Sequence, residues 1–252
     1  MPLPLSIAII SYNEERTIDR CLKSVAALAQ EIVVVDSGSS DRTLSIAENF
    51  GAIIKKQPWL GFRDQKNCAL DLCSQPWILA LDCDEEVSVE LKKSITDFFE
   101  SGDAQRFSGA EFNRKVFFLG RWILHGDWYP DRKLRLFRRE HARWVHPIHE
   151  TVALQGLKRT LPGDLLHYSF PSMNSYINKI NLFTDEFIKR DDQKNRKWSL
   201  FRNLSRPLWR FFRAYVLRCG FLDGFPGLWI AVATAFSVFV RYSRSYEKKW
   251  FA

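Results

Sequence analysis

Two carboxylates one residue apart, Asp82 and Asp84 with Cys83 between them, follow the apolar run Trp77-Ile-Leu-Ala-Leu81. At the mouth of a strand such a pair can hold a hard divalent cation and leave room for phosphate oxygens. A cation there would neutralise charge developing on a departing diphosphate. The alternative is helix capping by acids placed just before Ser88. Asp36 likewise ends a β-branched run, Glu31-Ile-Val-Val-Val35, and precedes Ser37-Gly38-Ser39-Ser40. Its carboxylate can accept from a base edge or a ribose hydroxyl, and Gly38 lets backbone approach a ligand closely; a plain Asx turn would need the same residues. Ser11-Tyr12-Asn13-Glu14 offers an aromatic face and an amide, or simply a helix cap. Lys66, with Arg63 and Asn67 nearby, can reach a diphosphate or stay solvated on its helix.

These residues need elements to place them. Leu5–Ser11, Glu31–Asp36, Ala52–Lys55 and Trp77–Leu81 read as buried strands. Helices are expected from Asn13 to about Ala29, from Asp41 to about Phe50, over Phe62–Cys73 and over Ser88–Glu100. Strand and helix therefore alternate with short links, which predicts an α/β fold with a mostly parallel sheet flanked by helices. Ligands bind such sheets at the carboxyl ends of the strands, where all three polar clusters fall. Beyond Gly109 the pattern is mixed: Ala110–Phe118 and Lys133–Phe137 alternate like half-exposed strands around the Trp-rich loop Gly120–Asp131. A further helix is expected over Ser172–Arg190. The expected organisation is a catalytic domain over 1–190, with a ligand-binding half at 1–105 and an acceptor half at 106–190, and a helical extension over 191–252.

The net charge of +8 is unevenly placed. Residues 189–252 carry 14 Lys and Arg against 4 Asp and Glu, leaving 23 against 25 in residues 1–188. A basic block beside a long apolar run indicates a membrane surface and argues against nucleic acid. Ser205 is expected to cap a helix with Pro207 in its first turn. Arg206, Arg210 and Arg213 would then share one arc, opposite Leu204, Leu208, Phe211, Phe212 and Tyr215. Gly220 would end that helix. Phe225–Val240 is an apolar run of 16 residues bracketed by Asp223 and Arg241. A span needs about 20, so shallow insertion is expected, with a buried core helix as the alternative. The five cysteines are scattered, without a CxxC pair, which indicates reduced thiols. Met1–Ser11 lacks a charged leader, so no secretory signal is expected.

Taken together, "SIAIISYNEE", "EIVVVDSGSSDRT", "GFRDQKN" and "WILALDCDEEV" resemble the nucleotide-sugar-binding half of family 2 glycosyltransferases of the GT-A fold. With "ILHGDWYPDRKLRLFRR" and "VHPIHE", the whole chain is similar to the small lipopolysaccharide-core glucosyltransferases of that family. The resemblance implies an inverting hexosyl transfer, glucose included, from a UDP-sugar to a lipid-linked saccharide at the cytoplasmic face of the inner membrane. It implies that Ser11, Tyr12, Asn13, Glu14, Asp36 and Gly38 hold the uridine, that Lys66 lies near ribose or phosphate, and that Asp82, Cys83 and Asp84 hold nucleotide and metal. Asp82 and Asp84 would be the metal residues, with Asp84 the direct ligand to Mg²⁺ or Mn²⁺. Inversion needs one base to take the acceptor proton. The Glu-Asp pair that many members place after the sheet is missing here. The candidate is Glu150, with Asp131 and Asp127 as alternatives. His146, His149 and His167 could reach the metal or line the acceptor pocket. Two other readings stay open: a polyprenyl phosphate acceptor, and a non-catalytic nucleotide-sugar-binding membrane adaptor.

Overall fold

The computed structural model describes residues 1–146, 150–170, 172–178, 180, 184 and 198–251. It forms two compact units, residues 1–114 with 131–167 and residues 115–130 with 168–252. His149 and most of the helix expected over 172–190 lie outside the described residues.

In the first unit, β1 (Leu3–Ser11), β2 (Ala29–Asp36), β3 (Ile53–Lys56) and β4 (Trp77–Asp82) pair in parallel in the order β3-β2-β1-β4. The links are α1 (Ile18–Val25), α2 (Thr43–Asn49) and α3 (Phe62–Leu72). β1, β2 and β4 are buried on both faces, whereas β3, at the edge of the sheet, is mostly exposed. Leu5, Ile7, Ile9, Val34, Leu79 and Leu81 face α1 and α4 (Val89–Glu100), while Ala8, Val33, Val35, Ile78 and Ala80 face α3. Helix α1 buries Ile18, Cys21, Leu22 and Val25, the i, i+3, i+4, i+7 pattern of an amphipathic helix. Ser88 caps α4, accepting from Leu91 N at 3.2 Å.

Beyond β4 the sheet turns antiparallel. β5 (Glu85–Val87) and α5 (Asp103–Arg106) follow in sequence, then β6 (Gly109–Phe118), β7 (Arg121–Trp122), β8 (Arg132–Arg138), the hairpin β9 (Ala142–Val145) and β10 (Thr151–Leu154), and β11 (Lys158–His167). The sheet continues β4-β8-β6-β11-β5. Because β2 and β3 lie on one side of β1 and β4 on the other, chain order reverses at β1/β4, where open α/β sheets bind ligands. The register pairs Ser11 with Asp36 and Ile10 with Asp82, so three strand ends meet at one edge.

One helix start differs from the sequence expectation. α1 begins at Ile18, not Asn13, and β2 already starts at Ala29. The loop after β1 bonds instead to the loop after β2: Asn13 N to Ser39 Oγ at 2.8 Å, Ser40 N to Asn13 Oδ1 at 2.9 Å, Glu14 N to Thr43 Oγ1 at 2.7 Å. Those amides would otherwise be the unpaired first turn of a helix.

In the second unit, α6 (Leu200–Phe212) starts before Ser205 and carries Pro207 in its interior. A π-turn (Arg213–Leu217) and Cys219 in left-handed conformation (φ 54°) end it. Then α7 (Gly224–Phe251) runs 28 residues, past Arg241, and is long and apolar enough to cross a membrane by length and composition. The two helices form an antiparallel hairpin: Asn203 Nδ2 donates to Ser243 Oγ at 3.2 Å, and Arg206 lies 5.5 Å over the Tyr242 ring. A Cβ at Gly227 would collide with the Gly220 carbonyl oxygen, so the turn closes with backbone against backbone.

Arg210 and Arg213 share one face of α6, as the periodicity predicts. Arg210 and Arg213 turn to Asp127, which is 3% exposed, leaving Leu204, Leu208 and Phe212 on the outer surface. Phe225, Val232 and Phe236 are exposed along α7. The Trp-rich loop is fastened to this hairpin a second time. Buried Asp223 accepts from His125 N at 2.8 Å and from Leu124 N at 3.2 Å.

Candidate functional site

The edge at β1/β4 is built around Asp36 and Asp82. Asp36 is fully buried and accepts four hydrogen bonds: Gly38 N at 2.9 Å and Ser39 N at 2.8 Å on one oxygen, Ser11 Oγ at 2.8 Å and Ser39 Oγ at 2.5 Å on the other. A carboxylate has about four acceptor positions, so its own loops fill it. Burial acts to raise this carboxyl, but the bonds from Ser39, Ser11 and Gly38 outweigh it and hold the pKa below the ordinary value. Gly38 has φ 100°, a left-handed conformation that suits glycine. Asn13 is also left-handed (φ 54°), and its side chain is used within the loop pair. Tyr12 is 59% exposed, a ring open to solvent at the strand end. Burial raises the Glu14 carboxyl, a bond from Thr17 pulls it back, and the charges of Asp84, Asp41 and Asp82 add to the rise.

Asp82 is flanked by cations on both oxygens, Lys66 Nζ at 3.0 Å and Arg135 Nη2 at 2.8 Å. Burial opposes its ionisation; Lys66 and Arg135 overcome this and hold the carboxyl well below the usual carboxylate range. Lys66 also meets Glu150 Oε1 at 2.9 Å, and Arg135 meets buried Glu85 at 3.0 Å. Arg114 lies 3.6 Å from Glu85 and 2.9 Å from Asp131. Seven side chains thus alternate in sign along one chain of contacts: Asp131, Arg114, Glu85, Arg135, Asp82, Lys66, Glu150. The two sequence-proposed bases stand at its ends. Asp131 is held by two cations, Arg114 and Lys133, the latter at 2.9 Å. Glu150 is paired with Lys66. Asp127, the other alternative, belongs to the second unit and is enclosed by Arg210, Arg213 and Arg218.

Local packing explains how the long cations reach Asp82. Ala8 and Ala80 are register partners, and their small side chains leave a cleft over the sheet lined by Lys66, Arg135 and Trp144. The Trp144 ring lies 4.6 Å from Lys66 Nζ and 5.5 Å from the Arg135 guanidinium, cation–π contacts that shield both from water. Asn67 clamps the Trp144 backbone at both ends, donating to its carbonyl and accepting from its amide at 3.0 Å each. Sequence reading passed over Glu85, Arg135 and Trp144. The run of acids after β4 was the available signal for Glu85; no local pattern marks the other two.

With both oxygens of Asp82 held by cations, the residue that stands available to a metal is Asp84. Its Oδ2 lies 3.3 Å from Nε2 of His167, a buried residue at the end of β11 whose buried Nδ1 has no hydrogen-bond partner among the described residues. One carboxylate and one imidazole fit Mg²⁺ or Mn²⁺ when phosphate and water complete the coordination. Among the described residues no three His, Cys, Asp or Glu side chains form a cluster that could hold a metal unaided. The Cys83 side chain points away from this edge. It is 4% exposed within the core, its Sγ donates to Ile10 O at 3.3 Å, and burial pushes its thiol pKa well up. Only its backbone faces the strand end. His146 is left-handed (φ 63°) just after β9.

Comparison with known proteins fits this edge. The family model for glycosyl transferase family 2 matches residues 6–153. An uncharacterized glycosyltransferase of Rickettsia typhi (strain ATCC VR-144 / Wilmington) is 31% identical over 253 residues, covering 96% of this chain and 87% of the relative. The lipopolysaccharide core biosynthesis glycosyltransferase LpsC of Rhizobium meliloti (strain 1021) is 29% identical over 256 residues, covering 96% and 94%. Among solved structures, the mannosyltransferase PcManGT from Pyrobaculum calidifontis, in complex with GDP-Man and Mn²⁺, superposes with a TM-score of 0.55 at 13% identity over 99% of this chain and 89% of that one, a likeness of fold. A parallel half, an acid pair at the β4 end and a family match across both make this chain a GT-A-fold enzyme of glycosyl transferase family 2.

Proposed function

We propose that the enzyme transfers a hexose, glucose on the resemblance, from UDP to a saccharide carried on a lipid, such as the lipopolysaccharide inner core, with inversion and with Mg²⁺ or Mn²⁺. The observation that carries this reading is the Asp84–His167 pair beside Lys66 and Arg135 at the β1/β4 switch. Full-length similarity to LpsC supports the acceptor class. Residues 1–190 would supply the transferase, and 191–252 its docking on the cytoplasmic face of the inner membrane. The apolar outer faces of α6 and α7 support that docking.

In this reading Tyr12 stacks on the base. Asp36 accepts a nucleoside hydroxyl once Ser39 or Ser11 gives up its place. Asp84 and His167 hold the cation, which when bound neutralises charge on the leaving diphosphate. Lys66 and Arg135 supply further positive charge from a water-poor cleft. Glu150 is the preferred base, because among the described residues a single cation engages it and that cation, Lys66, is also the one able to move to a diphosphate. Freed of Lys66, Glu150 takes the proton of the acceptor hydroxyl as that oxygen bonds to the anomeric carbon and the bond to UDP breaks on the opposite face.

Calorimetric binding of UDP, GDP and ADP, with Mn²⁺ and then with EDTA, tests the donor assignment. The expected result is a Mn²⁺-dependent preference for UDP that Asp84→Ala removes. Equal binding of all three nucleotides, or binding unaffected by Asp84→Ala, would sink it.

A further inference from the structure

Asp127 in the second unit is out of proportion to its partners. Arg210 Nε lies 2.8 Å from one of its oxygens, and Arg213 Nη1 at 3.0 Å and Arg218 Nη1 at 3.3 Å from the other. Among the described residues no other carboxylate pairs with these three arginines. Three positive charges therefore surround one negative charge. The carboxylate is 3% exposed, whereas the arginines keep 39%, 31% and 42% of their side-chain surface exposed. A guanidinium has five N–H donors in a planar fork, so one contact each to Asp127 orients the forks without exhausting them. Like charges held this close are costly, and an anion on their outer side would relieve that cost.

We propose that Arg210, Arg213 and Arg218 form a binding site for a phosphomonoester on a membrane-lipid headgroup, with Asp127 as the internal anchor that aims the three forks. The proposal rests on the membrane-docking reading above. The charge fits: the cluster is at least +2, and a phosphomonoester carries about −1.5 to −2 at pH 7. Arginine forks match phosphate oxygens in pairs. The source fits as well, because Trp209, next to Arg210, and Leu217, next to Arg218, are exposed. Apolar side chains beside a phosphate site suit a headgroup attached to acyl chains better than a free ion.

Cosedimentation with phosphatidylcholine vesicles containing either phosphatidic acid or phosphatidylglycerol, matched for surface charge, separates a discrete site from diffuse attraction. The wild type should bind phosphatidic acid vesicles about tenfold more tightly, through charge-assisted contacts that a diester cannot complete. Arg213→Gln/Arg218→Gln should bring the two vesicle types together. Arg213→Lys/Arg218→Lys, which keeps the charge and loses the forks, should lose most of the preference while keeping overall binding. Circular dichroism and Tm report whether each variant is folded, and the wild-type comparison stands without them. Equal wild-type binding to both matched vesicles overturns the site and leaves membrane docking intact. No binding to any vesicle overturns the docking reading. In that case a rise of Tm with inorganic phosphate in the wild type but not in the Gln double variant would assign the site to a free phosphate, and no such rise would remove it.

Discussion

In the first unit, seven side chains alternate in sign from Asp131 to Glu150; in the second, three arginines share the single carboxylate of Asp127. The first arrangement is nearly neutral and gives each charged member a partner of opposite sign. The second leaves positive charge over. Buried ions need partners, and an ion pair broken on one side costs more than the intact pair contributes. A balanced chain can therefore stay ordered without ligand, with its end members released when a competing charge arrives. An unbalanced cluster is ordered by one acid and completed from outside.

The contrast can be broken first at the end of the balanced chain. Glu150→Gln should reduce sugar transfer by roughly 10²–10⁴-fold, the range for loss of a general base, while UDP affinity changes little. Asp131→Asn, at the doubly held end, should cost less than about tenfold by the same comparison. Single-turnover kinetics beside calorimetry checks both, and the reverse order would move the base to Asp131. Next, the middle of the chain can be cut. Glu85→Gln leaves buried Arg135 with a weaker partner and should destabilise the fold by about 3–5 kcal/mol, read from urea unfolding. A change under about 1 kcal/mol would mean that the chain is not a unit. The smallest effect is set by acid. The Asp82 pKa is lowered in the folded state. The stability it contributes is therefore fully present above the unfolded carboxyl pKa, about 3.9, and fades as pH falls below that. Unfolding free energy should drop steeply below pH ~4 in the wild type and less steeply in Asp82→Asn. Parallel slopes would show that Lys66 and Arg135 do not hold this carboxylate.

What was legible in the sequence follows the same division. The parallel half was readable because three of its four strands are buried on both faces and its helices keep a 3.6-residue period, both local signals. Asp36, Asp82 and Asp84 were found because each ends such a strand. In the antiparallel half the alternation marked β6 and β8, but β5, β9, β10 and β11 were not legible, since they are short or half-exposed and gain their identity from partners far along the chain. Arg135 meets an acid 53 positions away and Trp144 is clamped from 77 positions away; no local spacing encodes either meeting. The α6 arc was legible as a helical period, but its partner Asp127, on a distant loop, was not.

The closed turn at Gly220 and Gly227 has a mechanical consequence. With backbone touching backbone there, the hairpin pivots on a fulcrum without slack, and α7, at about 42 Å for 28 residues, is a long rigid arm. One added methyl group at either glycine would act as a wedge at the pivot, and its displacement would grow along the arm toward Ser243 and Tyr246. Ångströms at the bend become a gape at the tips, so the separation of the two helix ends is set by the smallest side chains in the hairpin.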